Sequence, residues 1–175
     1  LIKYNAKVTE IKQDANGVTV SYVDTVKGGA VMTATADYCI CTIPATVLSQ
    51  IPMTAGPKLK AAINALSYSA SAKVGLQFKR RFWEEDENIY GGISYTDLPI
   101  ANISYPSTNY FSSGKGVLLA AYTFGPNAYR FASMSPEERI RKAIADGQQI
   151  HPQYPAEFET GASVAWHRVP WILGC

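Results

Sequence analysis

The chain has 175 residues, 47% of them hydrophobic and 17% charged, an ordinary globular balance that excludes a disordered or low-complexity protein. Its formal net charge is only +2, so composition gives no reason to expect a nucleic-acid or membrane partner. No apolar run approaches the ~20 residues of a membrane-spanning helix. Three cysteines are too few for a disulfide framework, and two histidines, His151 and His167, argue against a zinc site or a Ser-His-Asp arrangement.

The first residues, "LIKYNAKVTEI", carry no initiator Met and no signal-peptide layout, which reads as a start inside a longer protein. "AKVTEIKQDANGVTVSYVD" predicts a hairpin turning at Asn16-Gly17, with Val18, Val20 and Tyr22 alternating in its second strand. "AVMTATADYCICTIP" predicts one or two further strands ending at Pro44, and its Cys39 and Cys41 are expected as buried structural thiols. "TAGPKLKAAINALSYS" predicts a helix opening at Pro57, with Leu59, Ile63 and Leu66 at helical spacing. Later, "KGVLLAAYTFG" reads as a central strand, apolar on both faces. "SPEERIRKAIADGQQI" is a helix with Ser135 as N-cap, Pro136 at the first position, Glu138 closing a capping box, and an end near Gly147. The last strand is "ETGASVAWHRV". Strands and helices interleave in a mixed α+β layer. No GxGxxG, P-loop or GxSxG occurs, so the usual phosphate cradle is not in this chain.

"SASAKVGLQFKRRFW" raises the functional question. Alternation puts Ala72, Val74, Leu76 and Phe78 on one strand face and Lys73, Gly75, Gln77 and Lys79 on the other. A lysine beside a glycine on one face reads either as a solvated sheet face or as the wall of a cavity for something flat. The following "FKRRFW" pairs basic and aromatic residues as a nucleic-acid stacking patch does, but "EEDE" succeeds it at once and cancels the charge.

Read together, "ADYCICTIPATVLSQI", "AKVGLQFKRRFW", "YGGISYTDLP", "ISYPS", "SGKGVLLAAYTFG" and "WHRVPWILGC" resemble, in order and spacing, the flavin-containing amine oxidases, and within them the L-amino acid oxidases. The resemblance implies an α+β fold: a mixed-sheet substrate domain flanked by helices (46–163), plus a β-meander and strand of an incomplete FAD-binding domain (1–45) and a return segment toward it (164–175). It implies FAD as cofactor, an amine or amino-acid substrate, molecular oxygen, the remainder of the FAD domain as partner and, by analogy, a homodimer. The compartment is left open.

By the same resemblance Lys73 matches the family lysine that reaches the flavin N5 edge through a water. Val8 matches the residue whose backbone meets the adenine. Trp166 and Trp171 match aromatics near the flavin and its pyrophosphate side, and Gly174 and Cys175 belong to the stretch under the ring. Tyr122 matches a tyrosine on the substrate carboxylate, with Phe124 and Tyr105 as pocket residues. Cys175 stands nine residues after Trp166, where monoamine oxidases carry covalent flavin. The amino-acid oxidases usually have Ala there, so non-covalent FAD is the expectation.

Overall fold

Asn16-Gly17 makes the first turn of the computed structural model, which describes residues 2–175. The Asn16 backbone N–H donates to Asp14 Oδ1 at 2.7 Å and closes the hairpin of β1 (Ala6–Asp14) and β2 (Gly17–Asp24). A third strand, β3 (Met32–Ala36), extends it antiparallel in the order β1-β2-β3. Two short helices follow, α1 (Ala45–Leu48) and α2 (Pro57–Ala65). Leu48 joins Ile11 and Val18 in a small core, with Met53 and Ile63 packed against it. These elements form one unit, up to Tyr68, and Ser69–Cys175 form the second. The helices after Pro44 therefore cluster with the meander.

Residues 37–44 depart from expectation. They form no strand, Tyr38 and Ile40 are 89% and 92% exposed, and Cys39 and Cys41 are exposed rather than buried. An extended apolar run becomes a strand only beside a neighbour that takes its N–H and C=O groups. Among the described residues the ladder stops at Ala36. The helical stripe of α2 is likewise only partly used, for Ile63 packs on the meander while Leu59 and Leu66 are exposed.

The second unit is a five-stranded antiparallel sheet with helices. In chain order it runs β4 (Ser71–Phe78), α3 (Phe82–Glu85), β5 (Gly92–Tyr95), β6 (Asn102–Tyr105), β7 (Gly116–Phe124), α4 (Gly125–Ala132), α5 (Pro136–Gly147), α6 (Tyr154–Glu157) and β8 (Phe158–Ala165). The strand order β5-β6-β7-β4-β8 puts β7 in the middle, as its apolar sequence predicts. The α5 capping box is present: Ser135 N donates to Glu138 Oε2 at 2.7 Å, and Glu138 N to Ser135 Oγ at 3.2 Å. Val74, Leu76 and Phe78 point to the helical side and are fully buried with Phe82, Trp83, Phe131 and Tyr154. The Phe78 ring lies 4.8 Å from that of Tyr154, tilted, and 5.2 Å from that of Phe82, edge to face, centroid to centroid. All four helices thus cover one face of the sheet, and Lys73 lies on the other. The α+β architecture with antiparallel sheets is the one expected.

The basic run before α3 is engaged within the fold. Arg80 bonds Glu85, Asp86 and Glu157 at 2.7–2.8 Å. Arg81 pairs with Glu84, both nearly inaccessible, and also donates to Thr108 O at 3.1 Å. Glu84 accepts in addition from the Phe111 N–H at 3.0 Å, so the pair ties the 108–111 loop to α3. The Arg81 hydrogen bond holds the Glu84 carboxyl below its ordinary range, against the opposing effect of burial. A depressed carboxyl stabilises the fold above its unfolded pKa, and that contribution is lost as pH falls through the folded value. Glu84→Gln leaves the Arg81 charge buried and unpaired. It is expected to cost about 3 kcal/mol in chemical denaturation at pH 7, and the difference from wild type should shrink as pH falls below the carboxylate range. A cost below about 1 kcal/mol at pH 7 would contradict this role.

Candidate functional site

The sheet face opposite the helices carries the chemistry-bearing side chains. In the β4–β7 ladder Lys73 is paired with Tyr122, Ser71 with Phe124, Gly75 with Leu119 and Gln77 with Val117. Directly paired residues share a face, so these eight side-chain positions line one surface. Lys73 Nζ lies 4.3 Å from the centroid of the Tyr122 ring, within cation–π range. The Tyr122 and Phe124 rings are 4.6 Å apart. Phe124 is 47% exposed, so this face ends in an open apolar wall.

A bulge produces this arrangement. The ladder register shifts between Val74 and Gly75, which leaves Ala120 as the extra residue in β7. Val117 and Leu119 are odd-numbered, Tyr122 and Phe124 even-numbered, and a regular strand cannot turn both pairs the same way. At the bulge both Ala120 and Ala121 point into the core, where they are fully buried. Two adjacent inward side chains fit there because both are small. The strand then resumes with Tyr122 facing out beside Lys73.

Gly75 sits in extended backbone at mid-strand. A Cβ built there would meet nothing closer than Leu118 O at 4.0 Å. Glycine in a strand interior costs about 0.5–1 kcal/mol relative to alanine, and none of the described residues crowds this position. Farther along the face, Glu159 accepts from Gln77 Nε2 at 2.6 Å and Lys115 Nζ at 2.5 Å. Both donors hold the Glu159 carboxyl below its ordinary range, Lys115 more strongly. A second bulge, where Gln77 pairs with Thr160 and Phe78 with Phe158, turns Glu159 toward them.

The C-terminal segment returns to the start of β4. β8 pairs Val164 with Lys73 and Ala165 with Ala72, and a 3-10 turn, Trp166–Arg168, follows. His167 Nδ1 lies 3.3 Å from Ser71 O. Ser69 and Cys175 exchange two backbone hydrogen bonds, of 2.7 and 3.1 Å. Cys175 is therefore fixed four residues before Lys73, exposed, after a buried Gly174 at φ 126. Trp166 is half-buried and Trp171 is 54% exposed.

The structure thus brings Lys73, Tyr122 and Phe124 together and ties the Gly174–Cys175 backbone to their strand. It does not bring Tyr105 to them. Tyr105 is 6% exposed on the helical side of β6, where its hydroxyl meets Ser94 Oγ at 2.9 Å and His151 Nε2 at 2.5 Å. Burial pushes its phenol up. Period-two alternation with buried Ile103 places Tyr105 in the core, and Asn102 and Ser104 are the β6 residues on the Lys73 side. Val8 belongs to the first unit, half-buried against the meander core and followed by a bulge at Thr9. The Ala120 bulge and Asn102 were not singled out in the sequence. The adjacent Ala120 and Ala121 are the one cue to the bulge in the sequence; Asn102 carries none.

Comparison with known proteins gives this face a context. The family described as flavin containing amine oxidoreductase matches residues 1–175. An L-amino-acid oxidase of Siganus canaliculatus is 35% identical over 99% of this chain and 33% of its own length. One from Vipera ammodytes ammodytes is 38% identical over 89% of this chain and 31% of its own. Among solved structures, a putrescine oxidase redesigned in its cofactor binding superposes with a TM-score of 0.73 at 20% identity, covering 98% of this chain and 36% of that one. Cyclohexylamine oxidase from Brevibacterium oxydans IH-35A gives 0.69 at 21%, covering 96% and 35%. These structural likenesses show the fold. The chain spans about a third of the length of the relatives it matches. It belongs to the flavin-containing amine oxidoreductase family.

Proposed function

We propose that this chain is part of an FAD-dependent oxidase that converts an L-amino acid, oxygen and water to the 2-oxo acid, ammonia and hydrogen peroxide. The observation that carries the reading is the Lys73–Tyr122–Phe124 constellation on an open sheet face beside Gly75. The L-amino-acid oxidases at 35–38% identity support the amino-acid branch. In this reading residues 46–163 serve the substrate, while 1–45 and 164–175 serve the FAD domain.

The face fits a flat aromatic group. Gly75 leaves room where any other residue would place a Cβ, and no close contact among the described residues explains that choice. Lys73, Gly75 and the Gly174–Cys175 backbone would hold the flavin, with Trp166 and Trp171 beside it. When bound, the flavin would take a hydride equivalent (two electrons with one proton) from the substrate Cα, and the substrate N–H would release the second proton needed to reduce oxygen to hydrogen peroxide.

The chain's own groups bind, orient and exclude water. The Tyr122 hydroxyl donates to the substrate carboxylate and so fixes the Cα–H direction. Phe124 supplies an apolar wall for the side chain and keeps water away. Lys73 Nζ, held over the Tyr122 ring, anchors a water molecule through one of its N–H groups. That water is placed for hydrolysis of the substrate's C=N bond, releasing ammonia.

Oxidase assays separate amino acids from amines. Peroxide formation from L-amino acids, absent with the matching decarboxylated amines, is the expected result. The reverse preference would move the chain to the amine branch. Cys175 supports a second reading, because its exposed position next to β4 is where a thioether to flavin would form. Acid precipitation of the purified flavoprotein decides between them. Yellow colour is expected in the supernatant; colour retained in the pellet would mean covalent attachment and a monoamine- or polyamine-oxidase type of protein.

A further inference from the structure

Tyr122 lies where the sheet gives β7 little support on its β6 side. The β6–β7 ladder pairs Ser104 with Leu119, and the bulge at Ala120 intervenes between that pair and Tyr122. The Tyr122 carbonyl is taken instead by a side chain, Asn102 Nδ2, at 3.1 Å. A carbonyl only accepts, so this bond dictates which end of the amide faces Tyr122. The other end, Asn102 Oδ1, is buried without a partner.

A buried, unpartnered amide oxygen opposes folding, whereas a leucine of similar size carries no such penalty. Ala101, which directs the chain into Asn102, is a non-glycine residue at φ 63, also unfavourable. Two locally unfavourable features therefore converge on one bond, the one that holds the Tyr122 carbonyl on the β6 side. Unfavourable local geometry maintained by its surroundings is the pattern of functional positions. From this we infer that Asn102 is a positioning residue, which fixes Tyr122 beside Lys73 so that its hydroxyl meets the substrate carboxylate. The inference rests on the reading of Tyr122 given above.

Asn102→Leu in the complete flavoenzyme, compared with Tyr122→Phe, tests it. The expected result for Asn102→Leu is an unchanged or raised Tm with KM for L-amino acids about tenfold higher. The inhibition constant of the matching decarboxylated amines, which are not turned over, should not move. Asn102→Asp replaces the donor by an acceptor, so KM should rise at neutral pH. It should fall again toward acidic pH, where the protonated carboxyl donates to the Tyr122 carbonyl.

An unchanged KM in Asn102→Leu beside a raised KM in Tyr122→Phe overturns the role of Asn102 alone. An unchanged KM in both removes Tyr122 from carboxylate binding and Asn102 with it. A lowered Tm with equal rises in KM for L-amino acids and in the inhibition constant of the amines makes Asn102 a structural residue only. If Asn102→Leu fails to fold, absence of the pH rescue in Asn102→Asp overturns the inference.

Discussion

Gly75→Val is expected to yield a folded protein that no longer retains flavin. The backbone at Gly75 is extended, and the nearest atom to a new Cβ would be 4.0 Å away, so the branch point of a valine meets no obstacle among the described residues. Valine also suits a strand better than glycine, which adds about 0.5–1 kcal/mol to stability. The added branch projects from the face that carries Lys73, Leu119 and Tyr122. A flat ring seated there would have to lift off the sheet. Overpacking a close-fitting contact costs about 1–3 kcal/mol, a loss of roughly 10- to 100-fold in flavin affinity. Visible absorption of the purified variant after dialysis, read beside its Tm, checks both halves. A variant with full flavin content would mean the open space at Gly75 serves something else.

Lys73→Met should produce the largest loss of turnover. Methionine keeps the unbranched apolar stem, so the strand and its packing on Tyr122 are retained. What disappears is the group over the Tyr122 ring that would anchor the hydrolytic water. Loss of a positioned proton-transfer or water-holding group costs typically about 10²–10⁴-fold, and the expected fall in kcat is of that size. Substrate KM should change little, because carboxylate binding is assigned to Tyr122. Stopped-flow kinetics would locate the loss: anaerobic flavin reduction and aerobic reoxidation should keep their wild-type rates, while ammonia release on the enzyme should slow. A turnover within about threefold of wild type would reduce Lys73 to a surface lysine packed on an aromatic ring.

Much of the second unit was legible in the sequence because its residues satisfy one another locally. The α5 capping box needs only Ser135 and Glu138, three positions apart, and both bonds form. The alternation of β4 reads directly as a buried and an outer face, since both its neighbours are inside the unit. Residues 37–44 failed for the converse reason. Their apolar run signals a strand, but a strand is a property of a pair, and no described residue pairs with it. Cys39 and Cys41 were misread along with it.

The site itself was legible only in part. Tyr122 and Phe124 share a face by simple alternation, but that they share it with Lys73 depends on the bulge at Ala120. Bulges shift the pattern by one residue and leave no composition cue beyond two adjacent alanines. Tyr105 was placed in the pocket from loop resemblance, although alternation with Ile103 assigns it to the core. The Arg81–Glu84 pair was read as part of a cancelled charge run, and it turns out to be the buried anchor of the 108–111 loop.

The central claim is that the Lys73–Gly75–Tyr122 face is where the flavin ring and substrate meet. The most direct measurement is a crystal structure of the complete protein with FAD and a substrate carboxylate bound. It should show the isoalloxazine against Gly75, a water between Lys73 Nζ and the ring, and the Tyr122 hydroxyl on the carboxylate. A flavin bound away from this face, with Lys73 turned to bulk solvent, would contradict it.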